Sequence, residues 1–132
     1  MRRQSRELAL QVLFQTEFAP QISYQDLMDV LTTSLEQEVV KFADEIIKGV
    51  NAKKLEIDNT IQAASSHWKI DRMATIDRNI LRVAVYEIAF APTPLKPSIV
   101  INEAVEIAKK FGNTESAAFV NGLLDQVAKA HG

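Results

Sequence analysis

The sequence predicts an all-α protein of six or seven helices, and three observations carry that prediction. Apolar residues recur at helical spacing along the whole chain. No stretch alternates with the period of two expected of a strand. The prolines sit where helical patterns break off rather than inside them. A chain of 132 residues, 47% of them hydrophobic and 24% charged, is most simply one domain, because at that length roughly 68% of the unfolded surface can be buried.

Taken in order, the first helix spans about Ser5 to Phe18, with Ala9, Val12, Leu13 and Thr16 inward, and Pro20 stops it. The second starts at Ser23, where SYQD reads as a capping-box variant, and turns Leu27, Val30 and Leu31 inward. A third covers about Gln37 to Asn51, with Val39, Phe42, Ala43, Ile46 and Val50 on one stripe. A fourth, with Leu55, Asp58, Ile61 and Ala64 on one side, either follows a break near Asn51 or continues the third as one bent helix. HWKIDRMA reads as a loop or short turn. Thr75 is placed to cap a helix running to about Phe90, apolar over most of its circumference and therefore central. PTPLKP is a linker, since three prolines in six residues cannot be helix interior. The next helix, about Pro97 to Phe111, turns Val100, Ile101, Ala104, Val105, Ala108 and Phe111 to the core. Asn102, Glu103, Glu106, Lys109 and Lys110 form its polar face, and Gly112 ends it. Thr114 is read as the cap of the last helix, with Ala117, Val120, Leu123, Leu124 and Val127 inward.

Composition also limits function. There is no cysteine, hence no disulfide and no thiolate metal site, which fits a reducing compartment such as the cytoplasm. The start lacks the long apolar core of a secretory signal, and no apolar run is long enough to span a membrane. No HExxH, GxSxG, phosphate-cradling glycine loop or paired metal-ligand spacing is present, so the chain reads as non-catalytic, without cofactor or metal. The net charge of −2 excludes a bulk basic footprint. Within that acidic body, Arg2, Arg3 and Arg6 precede the first acid, Glu7, and make a local cationic spot attractive to phosphate.

Arg6, Leu10 and Phe14 are spaced i, i+4, i+8, with Arg3 close by. A cationic head and an aromatic ring on one exposed line suit single-stranded RNA, where guanidinium meets phosphate and the ring meets a base. The plainer reading is a frayed terminus and a core phenylalanine. Phe119 lies off the centre of its helix's apolar stripe beside Asn121 and Gly122, poor helix-interior residues that imply close approach by a neighbouring helix or a ligand. In the central helix, Arg78 and Arg82 are i, i+4 neighbours, Asp77 adjoins them and Tyr86 extends the Arg82 line. This is a candidate protein-docking patch, the alternative being an intramolecular ion pair. Glu87 projects into the stripe of Ile76, Ile80, Val83 and Ala84. If buried there it needs an arginine or backbone donors.

RxxRELALQVLFQ, DRNILRVAVYEI and INEAVEIAKKFG…FVNGLLDQ together resemble the NusB family of transcription antitermination factors, over nearly the whole chain. The segment from Ile101 to Asp125 carries the most specific part of the resemblance, and residues 20–70 the least. The resemblance implies two small packed helical bundles, here about residues 1–66 and 67–132. It implies binding of boxA RNA together with the small-subunit ribosomal protein NusE, so that RNA polymerase reads through terminators, notably in ribosomal RNA operons. It assigns Arg2, Arg3, Arg6, Phe14 and Phe119 to RNA, and Asp77, Arg78, Arg82, Tyr86 and Glu115 to NusE. Phe14 stands where the family often has tyrosine and Gln4 interrupts the arginine run, which implies weaker or more partner-dependent RNA binding. A homodimer that hides the RNA surface, and a protein–protein adaptor that ignores RNA, are the other readings.

Overall fold

The computed structural model describes residues 2–131. Seven α-helices follow one another: α1 (Arg2–Phe18), α2 (Tyr24–Leu31), α3 (Gln37–Ala52), α4 (Lys54–Ala64), α5 (Thr75–Val85), α6 (Pro97–Phe111) and α7 (Thr114–His131). A 3₁₀ turn over Ile70–Arg72 precedes α5, and a π turn over Tyr86–Phe90 widens its end. No strand occurs among the described residues. The all-α expectation holds, with several local corrections.

α1 begins at Arg2 rather than Ser5 because its first turn is tied down. Ser5 Oγ donates to the Val39 carbonyl at 2.9 Å, and the Arg2 guanidinium lies 4.7 Å from the Phe42 ring centroid. The stretch from Arg2 to Ser5 is therefore built into the fold rather than frayed. Ser23 caps α2 as expected, its side chain accepting from the Asp26 amide at 3.1 Å. α2 then buries Leu27 and Met28 and leaves Val30 exposed. The chain breaks between α3 and α4 at Lys53, which leaves helical geometry with φ −112° and ψ 18°. That break resets the phase: α4 buries Ile57 and Ile61, and Leu55 points to solvent. Thr75 is the first residue of α5 and does not cap it through its side chain. α7 is capped by Asn113 rather than Thr114, since Asn113 Oδ1 accepts from the Ser116 amide at 2.8 Å. Gly112 closes α6 with φ −108°, so it supplies space rather than left-handed backbone. A Cβ there would come within 2.6 Å of Ser116 Oγ.

α5 is central, as its all-round apolar surface requires: Ile80, Leu81, Val83, Ala84 and Val85 are all buried. The apolar core is continuous and takes residues from every helix, from Leu8, Leu27, Ala43 and Ile57 to Leu81, Val100 and Leu124. The structural consequence for function is that α1 lies against α3, α5 and α6, so both ends of the sequence are joined through one core.

No neighbouring helix of the chain approaches Gly122 closely, contrary to one of the two expectations. A Cβ built there meets nothing within 4 Å. A glycine in an exposed helix interior costs about 0.5–1 kcal/mol relative to alanine. Gly122→Ala is therefore expected to raise stability by about that amount in urea unfolding of the isolated chain.

Candidate nucleic-acid and partner interface

The three N-terminal arginines point in three directions. Arg2 reaches back to Phe42 on α3. Arg3, whose side chain is about half exposed, forks onto Glu103 of α6 at 2.5 and 3.2 Å. Arg6 is 5% exposed and holds Glu87 through Nε at 2.7 Å and Nη2 at 3.0 Å, with Nη1 3.2 Å from Glu103. The expected exposed line Arg6–Leu10–Phe14 is thus corrected: Arg6 and Leu10 are both buried. Arg6 is not on the surface, and it is the arginine that buried Glu87 required. A void of about 10 Å³ beside this pair is lined by Leu10, Ile80, Val83, Ala104 and other apolar side chains, so the pair has no polar alternative there.

The α1 ridge that does face outward is Arg3, Glu7, Gln11, Phe14 and Phe18, at spacings of four, four, three and four. Phe14 is half-buried and lies outside the core cluster; its ring stacks on Phe18 with centroids 6.1 Å apart and planes 6° from parallel. Phe18 is 78% exposed. In the sequence Phe18 stands out only as the last residue of the helix. Its position four residues after Phe14 was the available signal.

Phe119 rests against the core but opens onto a cleft of about 350 Å³, shared with Trp68, Arg72, Asp77, Glu115 and Ser116. The cleft brings together Asp77 and Glu115 of the expected partner set with Phe119 of the expected RNA set. Arg2, Arg3, Arg6 and Phe14 are not among its lining residues. Asp77 Oδ1 is shielded from solvent and accepts no hydrogen bond among the described residues. Trp68, exposed at the mouth of the cleft, shows in the sequence only as part of a loop.

The rest of the expected docking patch lies inside the protein. Arg82 is 7% exposed and forks onto Asp58 at 2.8 and 3.0 Å, with Nη1 on Asn79 Oδ1 at 3.1 Å and on Glu17 at 3.4 Å. Arg78 pairs with Glu17 and donates to the carbonyls of Ile70 and Met73, each at 3.2 Å. Tyr86, 8% exposed, covers Gly49. Arg78, Arg82 and Tyr86 thus join α1, α3, α4 and α5 instead of forming a surface patch. The intramolecular ion pair, weighed against docking, is what the fold uses.

Two carboxylates are shifted by these networks. Burial works to raise Glu17, but the Asn79 hydrogen bond and the Arg78 and Arg82 charges outweigh it and hold the pKa below its ordinary value. The Arg3 hydrogen bond lowers Glu103, with the Arg3 and Arg6 charges adding to it against partial burial. A carboxylate with a lowered folded-state pKa contributes stability above its unfolded pKa and loses it as pH falls through the folded value. Stability should therefore begin to fall below about pH 4.3, the ordinary glutamate pKa. Glu17→Gln is expected to flatten that limb, measured as unfolding free energy against pH. An unchanged acid limb in this variant would exclude Glu17 as a contributor.

Among the described residues no helix is long and apolar enough to cross a membrane, and no cluster of three metal-ligating side chains occurs.

The chain matches the NusB family model over residues 3–129. It is 67% identical over 130 residues to the transcription antitermination protein NusB of Bdellovibrio bacteriovorus, covering 98% of this chain and 96% of that protein. It is similar to the solved structure of T. maritima NusB, with TM-score 0.87 and 35% identity over 98% of this chain and 91% of that one. The same fold occurs in a structure of the antitermination factors NusB and NusE in complex with dsRNA, with TM-score 0.84 and 24% identity over 98% and 96% of the two chains. The match spans all seven helices, and the chain belongs to the NusB family.

Proposed function

We propose that this protein is a transcription antitermination factor that binds boxA RNA jointly with NusE and acts, in that assembly, on RNA polymerase elongating through ribosomal RNA operons. The observation that carries the RNA part is Phe14, an aromatic ring held outside the core on the same outward ridge of α1 as Arg3. Arg2 and Arg3 meet phosphate, Phe14 stacks on a base, and Phe119 offers a second ring from the cleft. Asp77 and Glu115, which line that cleft, receive NusE. Arg6, Arg78, Arg82 and Tyr86 hold the scaffold and touch neither partner.

Titration of boxA and scrambled RNA, each with and without NusE, tests this. Two or three phosphate contacts on a single strand give a slope of log K against log salt of roughly −1.4 to −2, from about −0.7 per contact. Arg2→Ala with Arg3→Ala should flatten that slope. Phe14→Ala should cost about 1–3 kcal/mol of RNA affinity. NusE and RNA should raise each other's affinity by the same factor. NusE binding that is unchanged by RNA, with no boxA preference, would instead establish a protein adaptor that ignores RNA.

A further inference from the structure

We propose that the RNA track on α1 continues past Phe14, with Phe18 as a second stacking ring and Lys110 of α6 as a phosphate contact at the opposite end of the same ridge. This rests on the RNA reading above and adds two residues to it.

Phe18 has no visible work in the fold. It is 78% exposed, and its contact is the near-parallel face of Phe14, one helical turn away. The two rings form a short stack with one face open. Gln11 and Gln15, both exposed, flank the rings on the helix surface. Amide groups beside open rings can hydrogen-bond base edges.

The charge is arranged to match. Lys110 Nζ sits 2.8 Å from Glu7 Oε1, and its side chain is 61% exposed. Glu7 lies on the ridge between Arg3 and Gln11, so Lys110 brings a cation from α6 onto the α1 track. Lys109 is adjacent in sequence and equally open, paired only with exposed Glu106. The Lys109–Glu106 pair is exposed on both sides and weak, and the open Lys110 ammonium, with three N–H donors, can keep Glu7 and still donate to a phosphate. Cations thus occupy the first half of the ridge and rings the second, which suits one strand laid along α1 with its backbone over Arg3 and Lys110 and its bases over Phe14 and Phe18.

The test is fluorescence anisotropy with labelled single-stranded boxA RNA in the presence of NusE. Phe18→Ala should weaken binding about fivefold or more, and Phe18→Tyr, which keeps the ring, should bind as the parent does. Lys110→Ala should reduce the salt slope by about 0.7. Both positions are exposed, and unchanged circular dichroism would establish that the variants fold. If Phe14→Ala loses affinity while Phe18→Ala and Lys110→Ala match the parent, the track ends at Phe14 and this inference fails while the RNA function stands. If the parent itself binds no RNA, both fall together. If Phe18→Ala turns a dimer into a monomer in sedimentation equilibrium with RNA affinity unchanged, a second copy of the chain covers the ring and the inference is overturned.

Discussion

Arg6→Ala is expected to destabilise the fold by about 3–5 kcal/mol, the cost of leaving one member of a buried ion pair without its partner. Glu87 is 3% exposed, and Arg6 Nε and Nη2 supply both of its side-chain hydrogen bonds. With Arg6 gone, the carboxylate faces the aliphatic walls of Leu10, Val83, Val100 and Ala104. Glu87→Ala should cost a similar amount by stranding the guanidinium, although Arg6 Nη1 keeps Glu103. Replacing both members, as Arg6→Met with Glu87→Leu, should recover most of the loss, because a packed apolar pair often does as well as a buried ionic one. Urea unfolding of Arg6→Met, Glu87→Leu and the double variant measures this as a coupling energy. Additive losses in the double variant would show that the pair does not act as a unit. The same result bears on function: an RNA defect in Arg6→Ala would report lost folding rather than a lost phosphate contact.

Gly49→Ala should destabilise by about 1–3 kcal/mol or more, through overpacking. A Cβ at residue 49 would fall 2.2 Å from Tyr86 Cζ and 2.3 Å from Cε1 and the hydroxyl oxygen. Tyr86 cannot simply swing aside, since it is buried at the start of the π turn, with Ala91 N bonded to its carbonyl at 2.8 Å. Burial also raises the Tyr86 hydroxyl pKa, with the Glu45 and Glu87 charges adding to it, so the ring stays neutral as well as fixed. Tyr86→Leu should make room and reduce the penalty of Gly49→Ala. Tyr86→Phe, which keeps Cζ and Cε1 in place, should not. Thermal unfolding of the six combinations decides it, and equal penalties in the Leu and Phe backgrounds would rule out the ring as the obstacle.

The helices were legible because their signals are local. Ser23 caps α2, Pro97 opens α6, and the apolar period of α3, α6 and α7 names their buried faces within a few residues. Glu87 announced its own need for a cation, though not which one. What the sequence concealed depends on helical phase and on distant partners. Arg3 and Arg6 look alike in a basic run, yet starting α1 at Arg2 leaves Arg3 at the rim and turns Arg6 into the core. A single non-helical residue, Lys53, exchanges Leu55 for Ile57 on the buried face of α4. The sequence leaves Arg82 open between a docking patch and an ion pair because its acids, Asp58 and Glu17, lie 24 and 65 positions away. Trp68 and Phe119 were both visible, but only the turn before α5 and the start of α7 bring them to one cleft.

The span of the Arg6–Glu87 pair has a consequence for biogenesis. Glu87 follows its arginine by 81 residues, and Glu103 by 97. A ribosome adding about 5–20 residues per second needs roughly 4–16 s to make the first of those partners. Throughout that interval the leading segment carries a positive charge it cannot yet bury, so it cannot dock in its final place. The α1 segment can then settle into its native place only after the stretch carrying its partners, 81 and 97 residues further on, has been translated.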